Sequence, residues 1–490
     1  MLEWIVSGFG QVLTLENILI SFVGCFFGNL VGVLPGLGPT ASVALLFPFM
    51  LNFEPLSILI CLGAVYYGAM YGGSITAVLL NIPGEVSAVP TAMDGYPLAK
   101  QGRAGPTLII CAFSSFFGGM VALFVLAFFA PALAKFALSF GPFEYLSLML
   151  FSVCCSCGLS GRSVSKGMVA VIVGILISLV GCDDATTAYR FTFGSFKLLQ
   201  GFDVVPIVVG LFGITEVLRS LRSDSATVVG GENTYQSMWP TKHESKLSFW
   251  AAVRGAITGT ALGILPGLTP SACTFISYSI EKKTAKEKEK IGKGAVEGVA
   301  RSESTNNAAA MAGFIPLLTL GIPTGPVLSI VLAALIIQGV VPGPLMFTTH
   351  LDLTGAVIAA FIVGNIILLI MNVPVVKLWV KIAYLPYRWL APVILFLCMM
   401  GTIVIRYSMF DMWTMLIFGL LGFMAKEVDF PISPMVLGIV LGKSIENYFR
   451  QAATVGFERI VEHPIAIVVL IASLAALILF TIFKDISDED

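Results

Sequence analysis

Charge is scarce in this chain. Only 12% of its 490 residues are Asp, Glu, Lys or Arg, and 57% are hydrophobic, whereas a soluble domain carries about 25% charged residues. So small a share of charge cannot cover a water-exposed globule, and we predict an all-α integral membrane protein in contact with the lipid bilayer. The formal net charge of −1 also provides no basic field for nucleic acid, so none is expected as a partner.

The chain is equally poor in groups that carry chemistry. It has three histidines, and its nine cysteines follow no zinc or disulfide spacing. Cys154, Cys155 and Cys157 cluster inside an apolar run, where cysteine behaves as a small hydrophobic residue. The sequence shows no nucleophile–base set, P-loop or Rossmann turn. We therefore predict that the protein is not an enzyme, has no catalytic residue, metal centre or cofactor, and draws its energy from an ion gradient or a partner.

Uncharged apolar runs, in contrast, are long and numerous. A membrane-spanning helix needs about 20 mostly apolar residues. Six runs exceed that length without one charged residue: 17–53, 55–84, 106–134, 255–280, 304–351 and 353–376. With the shorter apolar segments, they predict about ten to twelve transmembrane helices plus re-entrant or broken half-helices.

A long hydrophilic loop at residues 219–246 divides the chain near its middle. We predict a first membrane repeat at residues 1–218, this connecting loop, and a second membrane repeat at residues 247–490. When the short basic loops are placed in the cytoplasm, residues 247–280 must enter and leave the membrane by one face. The loop charges therefore predict that the two repeats have inverted topology.

The clearest pattern is a pair of recurring motifs. Residues 32–41 read GVLPGLGPTA, and residues 263–272 read GILPGLTPSA. A second pair follows in the same order, with NIPG at residues 81–84 and GIPT at residues 321–324. Proline and glycine break a helix, and broken backbone persists in a membrane only where it is buried in protein or lines a hydrated cavity.

Paired breaks in two halves of a chain indicate a substrate site near the membrane midplane. Half-helix N-termini there offer free N–H groups and partial positive charge, which suit a carboxylate. The predicted substrate-binding residues are Pro35, Gly36, Leu37, Gly38, Pro39, Thr40, Asn81, Pro83, Gly84, Pro266, Gly267, Thr269, Pro270, Ser271, Pro323, Thr324 and Gly325. The alternative is that these glycines and prolines only permit close helix packing.

Polar side chains concentrate at residues 302–307, which read SESTNN. Oxygen-rich side chains suit a hard cation such as Na⁺, so Ser304, Thr305, Asn306 and Asn307 are predicted ion-binding residues. The same side chains would equally serve as substrate ligands, as a helix cap or as hydrogen-bond partners between helices. Glu85, just after a predicted break, is a further candidate for an ion or proton site, whereas Asp94 is expected at the membrane interface.

Several of these motifs resemble those of one family. The run at 32–39, Tyr-Gly-Gly-Ser at 71–74, the segment 81–84 and Asp-Gly-Tyr-Pro-Leu-Ala at 94–99 are similar to the large membrane subunit of the tripartite tricarboxylate transporters. The segments 265–268 and 321–323 are similar as well, and the resemblance keeps the motif order from about residue 25 to residue 450.

This resemblance implies a multi-pass protein of the bacterial inner membrane. It also implies a small, roughly four-helix membrane subunit and a periplasmic solute-binding protein as partners, with carboxylates such as citrate as substrates. Transport would be coupled to Na⁺ or H⁺ entry in an elevator-type carrier, and residues 34–40, 81–84, 265–271 and 321–325 would line the site. A passive anion channel and a stand-alone carboxylate permease are the alternative functions.

Overall fold

The chain folds almost entirely into helices. A computed structural model describes residues 3–34, 38–159, 163–183, 185–222, 239–285, 287–373, 379 and 387–489. Before residue 223 these comprise α1 (Glu3–Val12), α2 (Leu15–Val33), α3 (Gly38–Met50), α4 (Pro55–Leu80), α5 (Val89–Leu98), α6 (Ala104–Ala137), α7 (Pro142–Leu159), α8 (Val164–Ser178), α9 (Val204–Val208) and α10 (Thr215–Arg222). After residue 238 they comprise α11 (Lys242–Gly263), α12 (Pro270–Thr284), α13 (Val296–Ala312), α14 (Phe314–Leu320), α15 (Pro326–Ile337), α16 (Met346–Thr349), α17 (Leu351–Asn372), α18 (Tyr387–Arg406), α19 (Met409–Glu427), α20 (Ile432–Val455) and α21 (Pro464–Glu489).

Short helical segments join some of these helices. They are the 3₁₀ turns Val86–Ala88, Phe196–Leu198, Lys288–Lys290 and Phe457–Glu462, and the π-helical segments Ala99–Arg103 and Val209–Ile214. The first π segment contains Gly102 at φ 78°, so the chain bends between α5 and α6.

Six helical stretches in the described residues are long and apolar enough to cross a membrane. They are Leu15–Val33, Pro55–Leu80, Val86–Ala137, Leu351–Asn372, Met409–Glu427 and Pro464–Thr481. Five shorter apolar helices accompany them: Gly38–Met50, Pro142–Gly158, Val164–Ser178, Pro326–Ile337 and Ala391–Ile403. The all-α membrane fold is thereby confirmed, while the expected count of about ten to twelve spans remains a prediction.

Helices α2 and α4 pack against each other through glycine. An added Cβ at Gly28 would lie 2.8 Å from the Cα of Val65, and one at Gly32 would lie 2.8 Å from the Cα of Ala69. Real Cβ atoms do not approach other atoms this closely, so only glycine permits the contact. Small residues of this kind let membrane helices approach closely enough for van der Waals packing to hold them together.

Helices α11 and α13 use the same device. An added Cβ at Gly259 would lie 2.9 Å from the Cα of Thr305, and one at Gly263 would lie 2.6 Å from the Cα of Ala309. Each helix pair also contacts a long apolar helix. Helix α4 packs against α17, and α13 packs against α6. These contacts produce a central group formed by α1, α2, α4, α6, α11, α13 and α17.

Two further sets of helices flank this central group. One set consists of α7, α8, α20 and α21, and the other consists of α9, the π segment Val209–Ile214, α10, α18 and α19. Helix α3 contacts α2 and α4 of the central group as well as α18 of a flanking set. Helix α15 contacts both α4 and α20. Helices α3 and α15, each next to a predicted break, therefore lie between the central group and a flanking set.

A small hairpin connects α8 to the segment before α9. Its strands β1 (Gly181–Cys182) and β2 (Tyr189–Arg190) are antiparallel. Hydrogen bonds from Thr186 and then from Arg450, 3.0 Å away, lower the pKa of Asp183 to about 2. Arg190 also pairs with Glu446 at 2.8 Å. The sequence analysis did not predict that these charged groups would fasten the hairpin to α20.

Candidate functional site

The first predicted break lies at the end of α4. Asn81 adopts a left-handed conformation, with φ 56°, and its N–H donates to the carbonyl of Thr76. Gly84 follows, and an added Cβ there would lie 2.7 Å from the Cα of Gly73. The left-handed turn ends the helix, and the chain then folds back against α4 before the turn Val86–Ala88.

The second predicted break lies at the end of α14. Gly321 is left-handed, with φ 69°, and its N–H donates to the carbonyls of Leu317 and Pro316. Pro323 and Thr324 are buried, and Gly325 is the N-cap of α15. The interruptions predicted at residues 81–84 and 321–324 therefore both exist as short non-helical segments that begin with a left-handed residue.

Each break lies against the preceding proline–glycine motif. A Cβ added at Gly38 would be 4.0 Å from the Gly84 carbonyl oxygen and from the Glu85 Cβ. In the second half, a Cβ added at Gly325 would be 3.2 Å from the Thr269 Cγ2. Across the halves, α12 packs against the turn Val86–Ala88, and α3 packs against α15. The structure thus gathers both breaks and the starts of α3 and α12 into one region.

Exposure varies among the predicted substrate-binding residues. Asn81 is exposed, and several others are partly accessible: Gly38, Thr40, Pro83, Thr269, Ser271 and Gly325. The remaining described ones are buried: Pro39, Gly84, Pro266, Gly267, Pro270, Pro323 and Thr324. Pro35, Gly36 and Leu37 lie outside the described residues. An added Cβ at Gly267 would lie 2.8 Å from the Ser152 carbonyl oxygen, so this glycine packs on α7.

The side chain of Thr269 does not cap α12. Thr269 is the N-cap of this helix, yet its side chain makes no capping hydrogen bond. The hydroxyls further along bond to their own helix instead: Ser42 to the Gly38 carbonyl at 2.8 Å, and Thr274 to the Pro270 carbonyl at 2.6 Å. The first N–H groups of α12 consequently receive no help from its N-cap side chain.

The four predicted ion-binding residues contact different neighbours. Ser304 donates to the Ala252 carbonyl at 2.7 Å, and Thr305 donates to the Gly255 carbonyl at 3.1 Å. These two hydroxyls connect α13 to α11, which is the inter-helix bonding that the sequence left open. The amide of Asn307 donates to the Glu303 carbonyl, one turn back in the same helix, at 3.3 Å.

Asn306 connects α13 to the first break. Its Nδ2 donates to the Glu85 Oε1 at 3.1 Å, and the hydroxyl of Ser87 donates to the same oxygen. Asn306 is buried, and its Oδ1 has no hydrogen-bond partner within the described structure. A carboxylate and an unpartnered amide oxygen therefore lie together beside the region where the breaks meet.

Glu303 forms a second polar centre three residues earlier on α13. Its side chain is fully buried, and three hydroxyls donate to it: Ser74 of α4 at 2.6 Å, Thr91 of α5 at 2.6 Å and Ser115 of α6 at 2.9 Å. We call these four residues the Glu303 cluster. In the sequence Glu303 lies within the polar run 302–307, of which only the neighbours 304–307 were predicted to bind an ion. The signal that could have identified Glu303 is its acidic side chain within a predicted membrane helix.

Two more buried carboxylates lie nearer the ends of these helices. Asp94 is buried and accepts hydrogen bonds from the N–H groups of Gly292, Gly294 and Ala295 at 2.7 to 3.0 Å. It therefore shapes the loop before α13, a role that an interfacial location alone did not predict. Glu281 is also buried and pairs with Arg254 and Arg301.

Long apolar helices enclose breaks that carry partly accessible polar groups. Discontinuous helices that meet in this way are typical of secondary transporters, and the fold defines a multi-pass α-helical membrane protein. The family model described as "Tripartite tricarboxylate transporter TctA family" matches residues 18–437. The chain belongs to this transporter family and is a component of tripartite tricarboxylate transport, which confirms the resemblance.

Two curated proteins of Agrobacterium vitis are similar to the chain. "Uncharacterized 52.8 kDa protein in TAR-I ttuC' 3'region" is 43% identical over 475 residues, which cover 96% of this chain and 94% of that protein. "Uncharacterized protein in TAR-II ttuC' 3'region" is 43% identical over 194 residues, which cover 40% of this chain and 80% of that protein. No solved structure matches the chain.

Membership of this family has general consequences for the protein. The family is one of transporters and not of enzymes. The tripartite system also implies a binding protein and a small membrane subunit as partners in general.

Proposed function

We propose that the chain is the translocating subunit of a secondary active importer of small carboxylates. Its substrates would be tricarboxylates such as citrate or dicarboxylates, and entry would be coupled to Na⁺ or H⁺. It would lie in the bacterial inner membrane and receive substrate from a periplasmic binding protein. A small four-helix membrane subunit would complete the transporter.

The observation that carries this proposal is the meeting of two helix N-termini. Thr269 and Gly325 are the N-caps of α12 and α15, and the Thr269 side chain makes no capping bond. The two residues are neighbours, since a Cβ added at Gly325 would lie 3.2 Å from the Thr269 Cγ2. A helix N-terminus carries about half a positive charge and free N–H donors. Two of them aimed at one region favour an anion with several oxygens, and a carboxylate fits without a buried Arg or Lys.

We further propose that residues 1–218 and 247–490 form two inverted repeats. The glycines that join α2 to α4 and α11 to α13 support this idea, as do the left-handed residues Asn81 and Gly321 at the two breaks. An elevator-type movement is supported by the position of α3 and α15, which contact both the central group and a flanking set. The predicted substrate residues would then move with one group of helices past the other.

Uptake of labelled acids tests the function directly. The chain would be expressed in cells that lack such systems, first alone and then with its small subunit and binding protein. Uptake of citrate and of other di- and tricarboxylates would be compared with and without a Na⁺ gradient. We expect saturable uptake that requires all three components and a cation gradient.

A matched pair of variants locates the substrate site in the same assay. Thr269→Val keeps the methyl group that contacts Gly325 but removes the hydroxyl, and we expect about tenfold weaker uptake, since a hydrogen bond to a charged group is worth about 1.5–3 kcal/mol. Thr284→Val is the control, because the hydroxyl of this exposed residue bonds only to the Ile280 carbonyl. Equal uptake by both variants would contradict the proposed site.

The other outcomes identify the alternatives. Uptake that rises linearly with substrate and ignores the cation gradient would indicate a passive anion channel. Saturable uptake by the chain alone would indicate a stand-alone carboxylate permease. If the chain inserts into the membrane but no acid enters with all three components present, the substrate is not a small carboxylate.

A further inference from the structure

The Glu303 cluster holds a carboxylate in an unusual setting. The side chain of Glu303 is fully buried, and the hydroxyls that donate to it come from three different helices, α4, α5 and α6. Among the described residues, no Lys, Arg or His pairs with it. Arg301, on the same helix, is instead bonded to Glu281, Ser277 and Thr258.

An isolated buried charge is strongly unfavourable in a low-dielectric interior. Hydrogen bonds from hydroxyls reduce this penalty but leave a full negative charge within the membrane-spanning helices. Buried charges in proteins are normally paired or coordinate a cation. The Glu303 carboxyl is therefore neutralised either by a proton or by a bound monovalent cation.

The oxygens of the cluster suit a hard cation. Two carboxylate oxygens and three hydroxyl oxygens lie within 2.6 to 2.9 Å of their hydrogen-bond partners, and each hydroxyl keeps lone pairs for a metal ion. A cavity of about 10 Å³ lies beside two of the four cluster residues, Ser74 and Ser115, whereas Glu303 and Thr91 do not line it. That volume is about the space that one water molecule needs.

The composition of the cluster also argues against a multivalent ion. A single carboxylate provides one negative charge, whereas divalent cations in proteins are held by several charged or nitrogen and sulfur ligands. The described parts of the chain contain no group of three or more His, Cys, Asp or Glu residues able to hold a metal ion. Hydroxyl and carboxylate oxygens with one negative charge match Na⁺.

We propose that Glu303, Ser74, Thr91 and Ser115 bind Na⁺ and that this ion is the coupling cation. The coupling role of Na⁺ rests on the proposed function, whereas the binding of Na⁺ does not. On binding, the three hydroxyl hydrogens rotate away from the Glu303 carboxylate, so that hydroxyl lone pairs and carboxylate oxygens face the ion. The ion then joins α4, α5 and α6 to α13 through direct ligands.

The position of the cluster explains how binding would reach the substrate region. Ser74 lies on α4, which ends at the first break, and Thr91 lies on α5, which follows that break. Asn306, one turn after Glu303, donates to Glu85 in the same break. An ion that pulls these helices together would favour one arrangement of the break, and coupling between sites requires such a difference.

Thermal unfolding of the purified full chain in detergent tests the site without any transported acid. Samples in NaCl and in KCl at equal ionic strength would be compared over a series of Na⁺ concentrations. A ligand that binds only the folded state raises the unfolding temperature in a saturable manner. We expect this protection from Na⁺, none from K⁺, and none from Na⁺ in Glu303→Gln.

Two milder variants protect the test against misfolding of Glu303→Gln. Ser115→Ala and Thr91→Val each remove one hydroxyl, and we expect the Na⁺ concentration for half-maximal protection to rise about tenfold. Thr107→Ala is the matched control on α6, since its hydroxyl donates to the Arg103 carbonyl of the same chain segment. This control should retain the Na⁺ dependence of the original chain.

Either of two results would overturn the proposal. Na⁺ protection that is unchanged in all three cluster variants would place the ion elsewhere. Protection that grows with acidity in KCl, needs no Na⁺ and disappears in Glu303→Gln would show that a proton, and not Na⁺, neutralises the carboxylate.

Uptake separates this inference from the proposed function. If Na⁺ protects the chain through Glu303 but no carboxylate is transported, the ion site stands and the proposed function fails. If Na⁺-driven carboxylate uptake persists in Ser115→Ala and Thr91→Val at unchanged Na⁺ affinity, the function stands and the ion site fails.

Discussion

Helices α4 and α13 pack in similar ways, but different kinds of side chain fill their contacts with the long apolar helices. Each packs on one side against a helix through glycine, and each contacts a long apolar helix on another side, α17 for α4 and α6 for α13. At the α4–α17 contact, Gly63 leaves room for the ring of Phe361. At the α13–α6 contact, Glu303 accepts a hydrogen bond from Ser115.

The two contacts show that the space between closely packed helices can be filled by an apolar ring or by a polar side chain. Phe361 is fully buried and lies against the rings of Tyr67 and Phe314, at 6.0 and 4.6 Å between centroids. That contact is complete with the protein's own atoms. The contact at Glu303 satisfies hydrogen bonds but leaves a charge, so it is complete only when something positive is bound.

The largest effect that separates the two contacts is expected from Phe361→Ala. Loss of a fully buried ring leaves a cavity, and such changes cost about 3–5 kcal/mol of unfolding free energy. The Na⁺ concentration for half-maximal protection should stay unchanged. Chemical denaturation of the chain in detergent measures the first quantity, and thermal unfolding in a Na⁺ series measures the second.

Phe196→Ala provides the control for this variant, because Phe196 is 88% exposed and its loss leaves no cavity. If Phe361→Ala raised the Na⁺ concentration for half-maximal protection as much as Ser115→Ala does, the proposed difference between the two contacts would be wrong.

A somewhat smaller effect is expected where the two helix pairs are alike. Gly28→Val and Gly259→Val each place side-chain atoms against the backbone of the facing helix, at Val65 and Thr305. Overpacking typically costs about 1–3 kcal/mol, and we expect similar losses in both pairs. The fraction of chain recovered as a single species after detergent extraction, together with chemical denaturation, measures the loss.

Gly10→Val serves as the reference, since no atom lies within 4 Å of a Cβ added there. A severe loss in one pair and none in the other would show that only one of them needs the close approach.

The smallest effect concerns how the two helices begin. Helix α4 starts at Pro55 directly after a short turn, whereas the loop before α13 is held by Asp94. In Asp94→Asn the oxygen that accepts the three backbone N–H bonds is kept but loses its negative charge, and an NH₂ group replaces the oxygen that accepts the Tyr278 hydroxyl. Because hydrogen bonds to an uncharged oxygen are weaker, we expect a loss of about 1 kcal/mol. Faster trypsin cleavage at Lys288, Lys290 and Lys293 would report the loosened loop.

Glu289→Gln is the control in the same loop, because Glu289 is exposed. If both variants are cleaved at the rate of the original chain, Asp94 does not hold the loop.

Local chemistry made the helices and their breaks predictable. Proline and glycine at residues 81–84 and 321–325 predicted interruptions, and Asn81 and Gly321 end their helices there. Apolar runs also predicted the membrane class. The boundaries were less accurate, since the uncharged run 17–53 contains two helices and the uncharged run 255–280 ends inside α12.

The hydrogen-bond partners of the buried polar residues could not be predicted from the local sequence. The partners of Glu303 are 188 to 229 residues away along the chain, so only the packing of helices brings them together. For the same reason the sequence left open whether the hydroxyls of Ser304 and Thr305 bind an ion or connect helices, and the structure shows them donating to carbonyls of α11. A polar run shows which residues need partners, but tertiary structure decides the partners.

The contact between the first helix and α17 bears on the order of biosynthesis. Gly8 and Gly355 lie so close that an added Cβ at Gly8 would be 2.5 Å from the Ala356 nitrogen. Their partnership spans about 350 residues, which a ribosome that adds about 5–20 residues per second needs roughly 20–70 s to synthesise. Helix α2 finds α4 long before that. During translation α1 therefore waits without its partner, and its docking on α17 is a late step of assembly.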